Sequence, residues 1–313
     1  MPKISVVIPT QNRAEFLRGA IQSVLNQTFQ DFEIIIIDDA SVDETANVVQ
    51  GFKDPRIWYV RHETRRGQGA TRNAGIRQTS GEYVALLDDD DEWLPEKLER
   101  QAVVLDRSPL KVGLVYTGFS KIDTNSRQLI HTFIPKKRGS IFNDMCTDNW
   151  VGTCSTVMLR KQCFDVVGLF DESLAAGADW DLWLRISKEF DIEYLAEALV
   201  WYRVHGHSIS TNHDSQIQGV EGLLRKHGQV LAQYRKSYSS LHLALGVYYC
   251  YRGDLKRGRK AFIKAIRAFP FDPRCYYNLS LSLAGAENFR TLKNLRNTYF
   301  MRRNNHVAIG RIC

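Results

Sequence analysis

Near-continuous apolar runs constrain this chain most: Ile4-Ser5-Val6-Val7-Ile8, Ile34-Ile35-Ile36-Ile37 and Tyr83-Val84-Ala85-Leu86-Leu87. Runs this uniformly apolar read as strands covered on both faces, which is the habit of parallel sheets flanked by helices. The segments between them carry helical spacing. Phe16, Leu17, Ala20, Ile21, Val24 and Leu25 recur within Arg13–Gln27, and Ala70–Thr79 follows the turn Arg66-Gly67-Gln68-Gly69. Ser41 with Glu44 three residues on predicts a capping box opening a further helix, and Ile57–Arg61 predicts a third short strand. The order strand, helix, strand, helix gives an α/β fold whose first half is Rossmann-like.

The run at Tyr83–Leu87 ends in Asp88-Asp89-Asp90-Asp91. Adjacent carboxylates repel, and a cation offsets that repulsion; hard divalent ions such as Mg2+ or Mn2+ prefer oxygen ligands and keep positions open for phosphates. The alternative, a solvated acidic turn, fits less well at a strand's carboxyl end, where open α/β sheets bind ligands.

Residues 111–205 are more mixed. Val112–Phe119 and Ser155–Leu159 predict strands, Ala178–Lys188 a helix, Ile192–Tyr202 a strand pair or edge, and Lys136–Ser140 a mobile loop. From Asp214 on the pattern is helical. Leu245-Gly246, Tyr249, Gly253, Phe262, Ala265 and Pro270 match one tetratricopeptide-like hairpin over residues 239–272, with Asp272-Pro273 opening a second unit. It reads either as a cap on the first domain or as a surface for a protein partner.

The chain has 313 residues, 44% hydrophobic and 25% charged, enough for one large domain plus an accessory region. Its net charge of +7 is unevenly spread: residues 1–213 carry 24 Lys+Arg against 30 Asp+Glu, and residues 214–313 carry 18 against 5. The imbalance marks a boundary near Asn212-His213-Asp214, so the expected division is 1–212 (halves 1–110 and 111–212) and 213–313. No apolar run approaches the roughly 18 residues of a membrane span. Met1-Pro2-Lys3 leads straight into the first strand without a cleavage pattern, so a cytoplasmic location is expected. The six cysteines show no Cys-x-x-Cys pair and are expected to be free thiols.

Four stretches together resemble the family 2 glycosyltransferases of the GT-A fold: Val7-Ile8-Pro9-Thr10-Gln11-Asn12-Arg13, Ile37-Asp38-Asp39-Ala40-Ser41, Gly69-Ala70-Thr71-Arg72-Asn73-Ala74-Gly75 and Leu87–Asp91. Gly177-Ala178-Asp179-Trp180-Asp181-Leu182-Trp183-Leu184-Arg185 and Tyr202-Arg203-Val204-His205 extend the likeness to residues 1–212. The resemblance implies a GT-A fold, with a mixed, mainly parallel sheet, and an all-α region beyond it.

It also implies a UDP-sugar donor bound by Pro9, Thr10, Gln11 and Asn12, with Asp39 accepting the uracil N3–H and Arg72 near uracil or diphosphate. Asp90 is assigned to Mn2+ or Mg2+, Asp88 and Asp89 to ribose, sugar or metal, and His205 to a metal or phosphate contact. Asp179 is assigned as general base, taking the proton of an acceptor hydroxyl so that attack inverts the anomeric centre. On a helix Asp179 and Asp181 flank the stripe of Trp180, Trp183 and Leu184, so only one of them faces the cleft. Plainer roles exist for three of these: a surface charge for Arg72, a structural His205, and a dipole-complementing Asp179. Two positions depart from the family pattern: Gln11 stands where many relatives have Tyr, and Ala178 where an acidic residue often precedes the base.

The implied acceptor is a saccharide or a lipid-linked one, in cell-surface polysaccharide or glycolipid synthesis. Competing functions are a sugar nucleotidyltransferase, for which Pro9–Arg13 offers only one Arg to a triphosphate, and a silent nucleotide-sugar-binding scaffold. Lys293, Arg296, Arg302 and Arg303, interleaved with Leu292, Leu295, Tyr299 and Phe300, suit peripheral contact with the inner face of an anionic membrane. No nucleic-acid motif accompanies the positive charge.

Overall fold

The computed structural model describes residues 1–124, 126, 128–204 and 212–293. The chain divides into two units. One comprises Met1–Met145, Asn149–Ser173 and Ala178–His205, and the other Cys146–Asp148, Leu174–Gly177 and the chain from Gly206.

The first unit is built on a nine-stranded mixed sheet. Its strands are β1 (Ile4–Thr10), β2 (Phe32–Asp38), β3 (Ile57–Arg61), β4 (Tyr83–Leu86), β5 (Asp91–Trp93), β6 (Val112–Asp123), β7 (Leu129–Phe133), β8 (Val157–Arg160) and β9 (Asp191–Val204). The spatial order is β3-β2-β1-β4-β8-β6-β9-β5, with β7 on β6. Strands β3, β2, β1 and β4 are parallel, so their carboxyl ends lie on one edge. Thr10 pairs with Asp38 in that register, and Val7 with Leu86. Beyond β4 the pairing becomes antiparallel through β8 to β6, and β6 pairs β9 in parallel.

Helices α1 (Ala14–Leu25), α2 (Thr45–Gln50), α3 (Gln68–Gln78) and α4 (Lys97–Arg107) follow successive strands. Every residue of β1 is buried, and Ile4, Val6 and Ile8 join Leu17, Ala20, Ile21 and Val24 of α1 in one apolar cluster with Leu98, Ala102 and Leu105 of α4. Fully burying an aliphatic side chain is worth about 1.5–3 kcal/mol, so each member of this layer contributes on that order to the unit's stability. Helix α3 meets the sheet through Gly75, where a Cβ would collide with Val7 Cγ1 and lie 3.2 Å from Ile37 Cγ1. After α5 (Phe142–Met145) and α6 (Gln162–Val167), α7 (Ala178–Glu189) completes the unit.

Three local expectations are corrected. Ser41 does not cap α2: its hydroxyl accepts from Asn12 N at 2.8 Å, and Asp43 Oδ1 accepts from Thr45 N at 3.1 Å in its place. The segment Ile192–Tyr202 is not a strand pair. It lies within one strand, β9, paired with β6 along its length and with β5 at Val200–Tyr202. The loop Lys136–Ser140 is tied down, since Lys137 O accepts from Tyr116 OH at 2.8 Å and Gly139 bridges to Ile192.

The second unit is helical: α8 (His213–Leu231), α9 (Arg235–Arg252), α10 (Leu255–Ala268) and α11 (Pro273–Leu281), with residues 286–293 helical as well. Asn212, Asp254 and Asp272 cap α8, α10 and α11 through side-chain oxygens, and Gly253 ends α9 in the left-handed region at φ 90°. Helices α9 and α10 form a hairpin whose close crossing is set by Gly246, where a Cβ would strike the Phe262 ring. Leu243, Cys250, Phe262, Ala265, Cys275, Leu281 and Phe289 form its core. Five cysteines are buried free thiols, and Cys313 lies outside the described residues. So do His205, Leu295, Arg296, Tyr299, Phe300, Arg302 and Arg303. No helix among the described residues is long and apolar enough to cross a membrane.

Candidate active site

The site residues gather at the carboxyl edge of β1, β2 and β4. Two loops there are clasped together. Asn12 N donates to Ser41 Oγ and Val42 N to Asn12 Oδ1, both at 2.8 Å, with Asn12 at φ 52° and Ala40 at φ 59°. Positive φ at non-glycine residues costs energy and persists only where surroundings enforce it. Pro9 and Thr10 are buried in β1, Gln11 is half-buried and Asn12 is exposed.

Asp39 is the next fixed point. It accepts from Arg66 N at 2.7 Å, Gly67 N at 2.8 Å and the His62 ring at 3.0 Å. Burial alone would raise its pKa, but these donors outweigh it and hold the carboxyl below the usual range. Gly67 sits at φ 89°, a conformation only glycine adopts cheaply, and this lets the two consecutive N–H groups converge on one carboxylate.

The acidic run splits by direction. Asp89 is buried: it accepts from Thr10 Oγ1 at 2.8 Å and from Arg13 at 3.0 Å. Burial drives its pKa up, Arg13 opposes and Asp90 adds to the rise, leaving it at about 7. The other three converge, with oxygens of Asp88, Asp90 and Asp91 all within 4.8 Å of one another.

Each of the three is held. Asp88 N donates to Ser155 Oγ at 3.1 Å, and the same hydroxyl donates to Asp91 Oδ2 at 2.6 Å. Arg203 donates to the Asp90 carbonyl through Nε at 2.6 Å and to Asp91 Oδ1 through its backbone N at 3.2 Å. Asp90 Oδ2 pairs with Arg13 at 2.8 Å, and Asp88 pairs with buried Arg72. Burial pushes Asp91 well above the usual carboxylate range, and Asp90 and Asp88 push it further. Burial opposes the charge of Arg72, yet its pKa still rises, chiefly through Asp88. An all-oxygen, carboxylate-rich donor set of this kind suits Mg2+ or Mn2+.

Asp179 stands in the first turn of α7. Its Oδ1 accepts from Trp180 N at 2.8 Å and its Oδ2 from Asn149 at 3.3 Å. Burial raises its pKa and Asp88 adds to that, while the Trp180 N–H and Arg72 pull the other way. Asp181 turns inward and is fully buried against Arg185 at 2.8 Å, so of the two acids Asp179 is the one near Arg72 and Asp88.

The sequence model of Glycosyl transferase family 2 matches residues 5–168. The chain belongs to the family 2 glycosyltransferases. An uncharacterized glycosyltransferase of Rickettsia prowazekii, RP339, is 33% identical over 227 residues, covering 71% of this chain and 70% of the relative. The Escherichia coli UDP-Glc:alpha-D-GlcNAc-diphosphoundecaprenol beta-1,3-glucosyltransferase WfgD is 29% identical over 211 residues, covering 67% of this chain and 80% of that one. Among solved structures, S. aureus TarS 1-349 in complex with UDP-GlcNAc superposes with a TM-score of 0.64 at 19% identity, covering 95% of this chain and 92% of that chain, which establishes the GT-A fold.

As a family 2 glycosyltransferase the chain carries its motifs in register with the sheet, but four neighbours of the site were absent from the sequence-predicted set. They are Arg203, Ser155, Asn149 and Arg13. Arg203 and Arg13 lay inside the quoted motifs; Ser155 and Asn149 carry no motif, and only folding brings them in.

Proposed function

We propose that this glycosyltransferase is inverting and metal-dependent, moving a sugar from a UDP-sugar to a hydroxyl of a lipid-linked saccharide in surface-polysaccharide synthesis. The observation that carries the reading is the convergence of Asp88, Asp90 and Asp91 at the sheet edge, with Asp179 close enough to respond to Asp88 and Arg72. The WfgD relative supports the substrate class, being named for a UDP-sugar donor, a diphosphoundecaprenol-linked acceptor and a β-linkage.

In this reading Asp39 receives the uracil edge on the lone-pair capacity left by its three donors. Arg72, buried and charged, faces the diphosphate. Asp179 in its ionised form takes the proton of the acceptor hydroxyl as the oxygen attacks the anomeric carbon. The bond from that carbon to the β-phosphate oxygen breaks on the opposite side, its electron pair leaves with UDP, and an α-linked donor gives a β-linked product. A divalent cation held by Asp88, Asp90 and Asp91 would supply Lewis-acid neutralisation of the departing charge. Arg13 balances Asp89 and Asp90 from the opposite side.

The test is transfer from UDP-glucose and UDP-N-acetylglucosamine to a lipid-diphosphate-linked N-acetylglucosamine, read by the anomeric proton of the product. A β product that forms with Mn2+ and is lost with EDTA is expected. An α product, or transfer indifferent to EDTA, contradicts the proposal.

A further inference from the structure

Helix α10 carries an unusual face. Lys256, Lys260, Ile263, Lys264 and Arg267 are all exposed and fall at steps of four, three, one and three residues, which places them along one side of the helix. The helix contains no Asp or Glu. Among the described residues none of these four cations has an ion-pair partner, whereas the neighbouring Arg257 and Arg274 are paired with Asp254 and Asp272. The opposite side of α10, with Gly258, Ala261, Phe262 and Ala265, is buried in the helical unit, so among the described residues the cationic stripe lies on the exposed side of the helix.

Two large apolar side chains accompany the charges. Ile263 lies within the stripe at 40% exposure, and Phe271, three residues past the helix end, is 82% exposed. Leaving a phenylalanine in water is costly, and a dissolved polyanion would give it nothing to bury against. A lipid surface does: cations meet anionic headgroups while apolar groups enter the boundary beneath, each basic residue near such a surface contributing roughly a fivefold gain in binding.

We propose that the outward face of α10 with Phe271 docks this protein on an anionic lipid bilayer. This face is separate from the one expected from the sequence at Lys293, Arg296, Arg302 and Arg303, the last three of which lie outside the described residues. The inference rests on the helical unit alone and is independent of how Asp179 and the acidic cluster act.

The experiment is sedimentation of the full chain with vesicles of phosphatidylcholine alone or with 30% phosphatidylglycerol, at about 0.1 M salt. Binding at least about 10-fold tighter to the anionic vesicles is expected. Lys256→Gln/Lys260→Gln/Lys264→Gln should weaken it roughly 100-fold, whereas a charge-matched variant of exposed residues elsewhere, Lys53→Gln/Arg107→Gln/Lys188→Gln, should bind like the parent. Phe271→Ser, at unchanged charge, should weaken binding about 10-fold. All substituted side chains are exposed, and an unchanged thermal midpoint verifies folding. Equal binding to neutral vesicles, a triple lysine variant that binds like the parent, or a soluble polyanion such as dextran sulfate binding as tightly with no response to Phe271→Ser would each overturn the proposal.

Discussion

The Thr10 hydroxyl donates to Asp89 Oδ2 at 2.8 Å, and this hydrogen bond between the ends of β1 and β4 divides the acidic run into two kinds of carboxylate. Asp89 faces the protein, and its neighbours Asp88, Asp90 and Asp91 face one another. Asp89→Ala leaves buried Thr10 without its acceptor and Arg13 with one carboxylate fewer, so it is expected to lower stability by about 1–3 kcal/mol in urea unfolding. Asp90→Ala should leave urea unfolding nearly unchanged and reduce UDP release from a UDP-sugar at least about 100-fold.

Asp39 joins β2 to the Arg66-Gly67 turn. Asp39→Ala should weaken UDP about 10- to 100-fold by calorimetry, since it removes an acceptor and frees the turn. The pH dependence has a definite sign. Its folded-state pKa lies below the unfolded value, so its stabilising contribution is complete above about pH 4 and is lost as pH falls through the lower, folded value. Acid titration of the Asp39→Ala variant should lack that component.

Lys97 lies fully buried, its Nζ 2.7 Å from Gln101 Oε1 and 3.8 Å from the centre of the Trp93 ring. Burial depresses its pKa well below the ordinary value. Between that lowered folded-state value and the unfolded one the unfolded chain binds more protons, so stability should rise with pH through that window until the unfolded lysine titrates near about pH 10. Lys97→Met is expected to stabilise the fold by about 1–2 kcal/mol at pH 7 and to flatten that rise, measured by urea unfolding across pH 7–10.

Gly75 brings α3 against the sheet. Gly75→Ala should cost about 1–3 kcal/mol because the added methyl meets Val7 and Ile37, both buried in strands that cannot retreat.

The strands β1, β2 and β4 were legible because uniformly apolar runs of this length have few other uses. The register of the acids was not: four adjacent Asp look alike in sequence, and what separates them is Ser155, which bonds Asp88 and Asp91 from more than sixty positions away. Glu193, Glu197 and exposed Trp201 interrupt the apolar residues of β9, yet it is one strand, paired with β6 along its length and with β5 at Val200–Tyr202. Ser41 failed as a cap because Asn12 N, in a loop 29 residues earlier, takes its hydroxyl. Local chemistry thus predicted each element, and long-range hydrogen bonds decided which polar atoms remained for function.

The central claim is that Asp179 removes the acceptor proton at a donor site built from other residues. It is tested most directly by the transfer rate of Asp179→Asn at saturating UDP-sugar with Mn2+, alongside its affinity for UDP. Turnover reduced about 1,000-fold or more with UDP affinity unchanged is predicted, together with a wild-type acid limb displaced above the usual carboxylate range, because burial and Asp88 raise this group's pKa. Turnover within a few-fold of the parent would contradict the assignment.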